Sequence, residues 1–92
     1  MEFEWDQKKA KSNLRKHRVS FNEGATAFND LLSLTFDDEA HSGIERRYIT
    51  LGMSHQGRIL VVAHTMRGEK VRIISAREAT ARERKWYEKE GK

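Results

Sequence analysis

Cysteine is absent from the 92 residues, which removes disulfides, thiolate catalysis and zinc–thiolate sites and suits a reducing cytosol. No apolar run approaches the roughly 18 residues of a membrane span. Six glycines are present, but none falls in the G-x-x-x-x-G-K-[ST] pattern that cradles nucleotide phosphates. That absence disposes of Asp38-Glu39-Ala40-His41, whose letters D-E-A-H would mark a magnesium-positioning strand in a helicase. A chain of this length makes one compact domain that buries about 60–65% of its unfolded surface, and a two-lobed motor does not fit in it. The opening "MEFEWDQKKAK" is charged where a secretory signal needs an apolar stretch. The expectation is a cytoplasmic protein that begins in its mature form, with no membrane association.

Eighteen Lys and Arg stand against fourteen Asp and Glu, a net charge of +4. Their distribution is uneven. Lys8, Lys9, Lys11, Arg15, Lys16 and Arg18 form a basic block without an acid, whereas residues 37–45 hold Asp37, Asp38, Glu39 and Glu45 without a Lys or Arg. Segregated charge of this kind can draw a polyanion to one side and leave another side for a different partner.

The pattern along the chain is that of a single α+β domain spanning residues 1–92. Phe3-Glu4-Trp5 alternates as a short strand, and Asp6 caps a helix running to about His17, with Ala10, Leu14 and His17 on one face. Ser20 and Glu23 make an S-x-x-E capping box for a second helix, whose stripe is Phe21, Ala25 and Phe28. From Leu32 the period changes to two. Four strands, "LSLTF", "RRYITLGM", "RILVVAHTM" and "VRIISAR", are joined by connections short enough to give a four-stranded antiparallel meander. The parity places Ile49, Leu51, Met53, Ile59, Val61 and Ala63 on the face that covers the helices. Arg46, Tyr48, Thr50, Arg58 and His64 are then expected on a free, polar, basic face. The tail "EATARERKWYEKEGK" is a helix with a thin apolar side of Ala79, Trp86 and Tyr87, suited to weak docking or to completion by another chain.

Little in this chain supports metal or hydrolase chemistry. Asp37, Asp38 and Glu39 are the one acidic cluster, and consecutive residues on an extended segment point alternate ways, so a solvated loop is favoured over a metal site. The histidines at 17, 41, 55 and 64 lack tight ligand spacing, and Ser42 has no recognisable orienting group. Arginine chemistry remains. Arg46, Arg58, Arg67, Arg72 and Arg77 all come from the sheet or its ends, where a rigid scaffold can aim guanidinium groups at phosphate oxygens. Such a surface could bind RNA. With a proton-transfer group it could also cleave RNA, through attack of the 2′-oxygen on the adjacent phosphorus. His17, His41 and His64 are the candidates, because imidazole titrates near neutral pH. A non-catalytic basic module that binds RNA or an acidic protein uses the same surface and is the alternative.

Taken in order, "FEWDQKKAKSNLRKHRVSF", "HSGIERR", "GRILVVAHTMR" and "RIISAREATARERKWYE" resemble the BrnT family of toxins from bacterial type II toxin–antitoxin modules, over nearly the whole chain. The resemblance implies a RelE-like fold and a ribonuclease that needs no metal or other cofactor and arrests translation and growth. It also implies a BrnA-type antitoxin with a ribbon-helix-helix dimer, in a 2:2 heterotetramer that contacts operator DNA only through the antitoxin. On this reading Arg67, Arg72, Arg77, His17 and His41 are the catalytic candidates. Lys16, Arg46, Arg58 and His64 are expected to bind RNA, and Trp86 and Tyr87 the antitoxin. Two positions depart from the family pattern: Arg18 stands where glycine is common, which disfavours a left-handed helix cap, and His64 stands where an aromatic is common.

Overall fold

The computed structural model describes residues 1–90. Five strands form one mixed sheet, β1 (Glu2–Glu4), β2 (Leu34–Asp37), β3 (Arg47–Met53), β4 (Ile59–Arg67) and β5 (Lys70–Glu78). They lie in the order β1-β5-β4-β3-β2. Three helices accompany them, α1 (Gln7–His17), α2 (Phe21–Thr26) and α3 (Ala81–Glu90). The expected four-stranded antiparallel sheet is therefore extended by a fifth strand. β1 pairs parallel to β5, with Phe3 opposite Val71 and Glu4 opposite Arg72. No turn signal announces a pairing between strands so far apart in the chain, which is why the local pattern missed it.

Local signals place the helix starts. The Asp6 carboxylate accepts from the Lys8 and Lys9 amides at 2.8 and 3.1 Å, and Ser20 Oγ accepts from the Glu23 amide at 3.0 Å. The Glu23 side chain, expected to complete the capping box, instead reaches Ser54 and Arg58. At the end of α1, Arg18 does adopt the left-handed conformation, φ 60° and ψ 30°, and its amide donates to Leu14 O. An L-residue there costs roughly 1–2 kcal/mol, which glycine would avoid. The turn is held nonetheless, because Val19 and Phe21 immediately beyond it are fully buried and Arg18 O accepts from Arg58 Nη2 at 3.1 Å.

The sheet faces are the reverse of the parity reading. Val19, Phe21 and Ala27 pack with Leu60, Val62, Val71, Ile73 and Ala76, so α1 and α2 cover the face that also carries Thr50 and His64. The Ile49, Leu51, Ile59 and Val61 face lies on the other side and packs against Ala79 and Tyr87. Both faces of the central strands are apolar, so alternation alone cannot decide which one the N-terminal helices choose. α1 is joined to the sheet chiefly by a polar clamp. Its one buried residue, Asn13, donates to Val19 O and Ala76 O at 2.9 and 2.8 Å and accepts from the Ala76 amide at 3.1 Å. Between β4 and β5 the register shifts: Ala63 opposes Ser75 and His64 opposes Ile73, leaving Ile74 as the extra residue of a β-bulge.

α3 is docked more firmly than its sequence suggests. Tyr87 is 6% exposed and donates from its hydroxyl to the Asp30 carboxylate; burial and that carboxylate push the tyrosine up to about 12. Tyr87 is thus a core residue of this chain, not the open partner contact that was expected. Trp86 is different, 42% exposed and edge-to-face with Phe36 at 5.1 Å.

Candidate functional site

The sheet face opposite α1 and α2 changes character along the strands. One row runs Glu4, Arg72, Thr65 and Arg47 across β1, β5, β4 and β3; the next runs Ser75, Ala63, Ile49 and Phe36, and a third Arg77, Val61, Leu51 and Leu34. α3 covers the apolar end through Ala79 and Tyr87. The basic end stays open.

Where the two zones meet, a groove of about 230 Å³ is rimmed by Asp38, His41, Arg47, Ser75 and Arg77. Its floor is Ile49, Val61, Ala63 and Ile74. The loop before β3 supplies the His41 wall through a 3₁₀ turn, Glu39–His41. That loop is tied to the strand: Asp38 N donates to Arg47 O at 3.0 Å, and Ser42 Oγ donates to Asp38 O at 2.8 Å and accepts from Arg47 N at 3.0 Å. Asp38 is mostly buried, and its two carboxylate oxygens lie 3.1 and 3.0 Å from His41 Nδ1. A carboxylate can only accept, so Nδ1 carries a proton, and in the neutral ring Nε2 is the nitrogen left to accept one. The His41 side chain is 68% exposed.

Arginines ring this site in different states of engagement. Arg77 makes two parallel bonds to Glu83, Nη1 to Oε1 at 2.8 Å and Nη2 to Oε2 at 2.9 Å. Glu83 also closes a capping box with Thr80 at the start of α3, and these bonds hold its carboxyl down to about 2. Arg67 bonds Glu45 at 2.7 Å and Arg72 bonds Glu4 at 3.0 Å. The Arg67 bond, aided by the fields of Arg72 and Arg47, holds the Glu45 carboxyl below its ordinary range. Among the described residues Arg47 joins none of the ion pairs, so its guanidinium is open to an anion. Lys16 and His17 lie across the β5 bulge in a neighbouring groove that shares Ile74 and Ser75. The structure thus gathers His41, Arg77, Lys16 and His17 around one bulge, with Arg67 and Arg72 at the basic edge.

Three candidates for RNA contact lie elsewhere. Arg46 precedes β3 and is paired with Asp37 at 3.0 Å on the strand parity of Tyr48, away from the groove. His64, expected on an open face, is 4% exposed, stacked on Tyr48 and edge-on to Phe28. Arg58 is turned inward by Glu23, 2% exposed, which receives its Nε at 2.9 Å and its Nη2 at the second oxygen. Removing one partner of a buried ion pair strands the other charge. Arg58→Ala is accordingly expected to lower stability by about 3 kcal/mol, measured by urea unfolding; an unchanged midpoint would show the pair to be dispensable.

Asp38 and Arg47 were not singled out from sequence. Asp38 carries a D-x-x-H spacing that a 3₁₀ turn brings into contact, and Arg47 differs from Arg46 only by the one-residue alternation that decides which face a strand residue joins. Among the described residues, no group of three or more His, Asp or Glu converges as a metal-holding cluster, and no helix is long and apolar enough to cross a membrane.

A small α+β chain with a guanidinium-rimmed groove and a carboxylate-oriented imidazole belongs, by comparison with known proteins, among the ribonuclease toxins of bacterial toxin–antitoxin systems. The matching family model is described as the ribonuclease toxin, BrnT, of type II toxin–antitoxin systems and covers residues 5–83. The chain belongs to this BrnT family. Its fold is similar to the crystal structure of the Brucella abortus ribonuclease toxin BrnT, with a TM-score of 0.70 and 27% identity over 87% of this chain and 97% of that one. No curated protein matches the chain.

Proposed function

We propose that this chain cleaves RNA without metal at the groove between His41, Arg47 and Arg77, and that this cleavage arrests translation and growth. The observation that carries the proposal is the Asp38–His41 pair set beside an arginine with no acidic partner among the described residues. In the proposed step His41 Nε2 takes the proton of a ribose 2′-hydroxyl. The 2′-oxygen forms a bond to the adjacent phosphorus as the bond to the 5′-oxygen breaks, giving a 2′,3′-cyclic phosphate and a 5′-hydroxyl end. Arg47 and Arg77 face the extra negative charge on the phosphoryl oxygens. Arg67 and Arg72 extend the positive field along the strand, and His17 is the candidate to protonate the leaving 5′-oxygen from across the bulge.

The type II setting calls for an antitoxin. A BrnA-type protein with a ribbon-helix-helix dimer, assembled 2:2 and carrying all operator contacts, fits the family reading, with the cytoplasm as the compartment. Trp86 and Phe36, exposed side by side at the apolar end of the open face, are the proposed contact. The test is induced expression, which should stop growth, together with purified protein, which should cut RNA in EDTA. Cutting that appears only with magnesium would overturn the mechanism. Binding without cutting would make the chain a non-catalytic basic module.

A further inference from the structure

The groove at His41 shares two lining residues with a second one. Lys9, Ser12, Asn13, Lys16 and His17 recur on one face of α1 and enclose, with Ile74 and Ser75, a groove of about 270 Å³. The same two residues of the β5 bulge wall the first groove. Only the bulge separates them, and bulges beside active sites commonly re-aim a strand in this way. Their spacing is fixed, because the Asn13 side chain holds α1 to Ala76, the residue after the bulge pair, through one donated bond and one accepted.

The α1 groove contains no carboxylate. Lys9 and Lys16 are exposed and, among the described residues, take part in none of the ion pairs. In contrast, Arg67, Arg72 and Arg77 on the open face are all held by glutamates. Lysine is a compact, mobile point charge, suited to holding a phosphate without reading a base.

We infer that a single strand of RNA crosses the β5 bulge, with its reacting phosphate beside His41, Arg47 and Arg77 and an adjacent phosphate held in the α1 groove by Lys9 and Lys16. This rests on the ribonuclease reading above and specifies its substrate as single-stranded RNA with at least one phosphate flanking the cleaved bond. The site is then a track from the open face across β5 to the α1 side of the sheet, and a substrate that ends at the cleaved linkage uses only half of it.

The test compares a short single-stranded oligoribonucleotide with a dinucleoside monophosphate, which has no flanking phosphate. A Lys9→Ala/Lys16→Ala variant keeps α1, since both lysines are exposed and alanine favours helix, and circular dichroism verifies this. Its kcat/KM on the oligonucleotide should fall at least about tenfold more than on the dinucleoside monophosphate. Its affinity for a 2′-deoxy oligonucleotide should fall similarly, and the slope of log K against log salt should shrink by about 0.7 for the one phosphate no longer neutralised on a single strand. Equal losses on both substrates, or no loss on either, overturn the track. If the wild type cuts neither substrate the ribonuclease reading fails, and the 2′-deoxy binding then decides the track alone: unchanged affinity in the double variant overturns it. A variant that keeps oligonucleotide affinity and loses affinity for a BrnA-type antitoxin would make this stripe a protein-docking face and overturn the inference.

Discussion

His41→Ala is expected to lower RNA cleavage by about 10²–10⁴-fold, the usual contribution of a positioned acid or base. The thermal midpoint should stay within about 4 °C, because the imidazole is exposed and its loss removes no core contact. Asp38→Asn should give a smaller loss, since an amide can still contact the ring but no longer selects the tautomer through an accepting carboxylate. Arg47→Ala should cost about 10²–10³-fold, the scale seen when one preorganised donor to a developing charge is removed. Cleavage products measured under single-turnover conditions, with melting curves as the folding control, check all three. A His41→Ala protein that cuts RNA at the wild-type rate would end the proton-transfer assignment and move it across the bulge to His17.

The contrast between His41 and Arg46 shows what could be read before the structure. The loop histidine is a candidate on sequence alone because imidazole titrates near neutral pH and it lies just ahead of a strand of arginines, but the nearby acid that pattern suggests is Glu45, whereas the ring meets Asp38. Arg46, expected on the open face, lies off it. Arg46 and Arg47 are chemically identical, and only register puts the second in the groove row with Thr65 and Arg72 while the first pairs with Asp37 outside it. Hairpins were readable for a firmer reason. Gly57 and Gly68 sit at φ of 80° and 63°, so the connections around them were marked by residues that alone take such angles freely.

Facing was harder. Ile49 with Val61 and Leu60 with Val62 make either side of β3 and β4 a credible core, and α3 covers the side that the N-terminal helices leave. The thin apolar stripe of α3 concealed how well it docks, because Tyr87 gains a buried hydrogen bond to Asp30 as well as area. Arg58 was legible as a strand-end arginine but not as a structural one. Its partner Glu23 sits 35 residues away and looked committed to a capping box. Charged side chains that serve the fold and those that serve the substrate differ in what they meet across the sheet, which local pattern does not contain.

Acid should destabilise the fold through His64 as the pH falls below about 6.5. The ring fills an aromatic slot, 4.9 Å from Phe28 and 5.8 Å from Tyr48 between centroids. Nε2 lies 2.8 Å from Thr50 Oγ1, and Nδ1 is buried without a hydrogen-bond partner. Burial pulls the imidazole from 6.5 down to about 4. The folded value lies below the unfolded one, so the unfolded chain binds the proton first. Stability is therefore whole above about pH 6.5 and declines as the pH falls toward 4. Between pH 7 and 4.5 the loss should be about 2–3 kcal/mol. His64→Phe is the diagnostic change. It suits a slot already lined by rings, removes the unpaired Nδ1, and leaves the Thr50 hydroxyl its 2.7 Å partner on Thr35. Urea unfolding at the two pH values should show the wild type weakening by that amount and His64→Phe losing most of the difference. Equal pH dependence in the two proteins would place the acid sensitivity elsewhere, in carboxylates such as Glu23 whose values are held low by partners and whose contribution is lost only at lower pH.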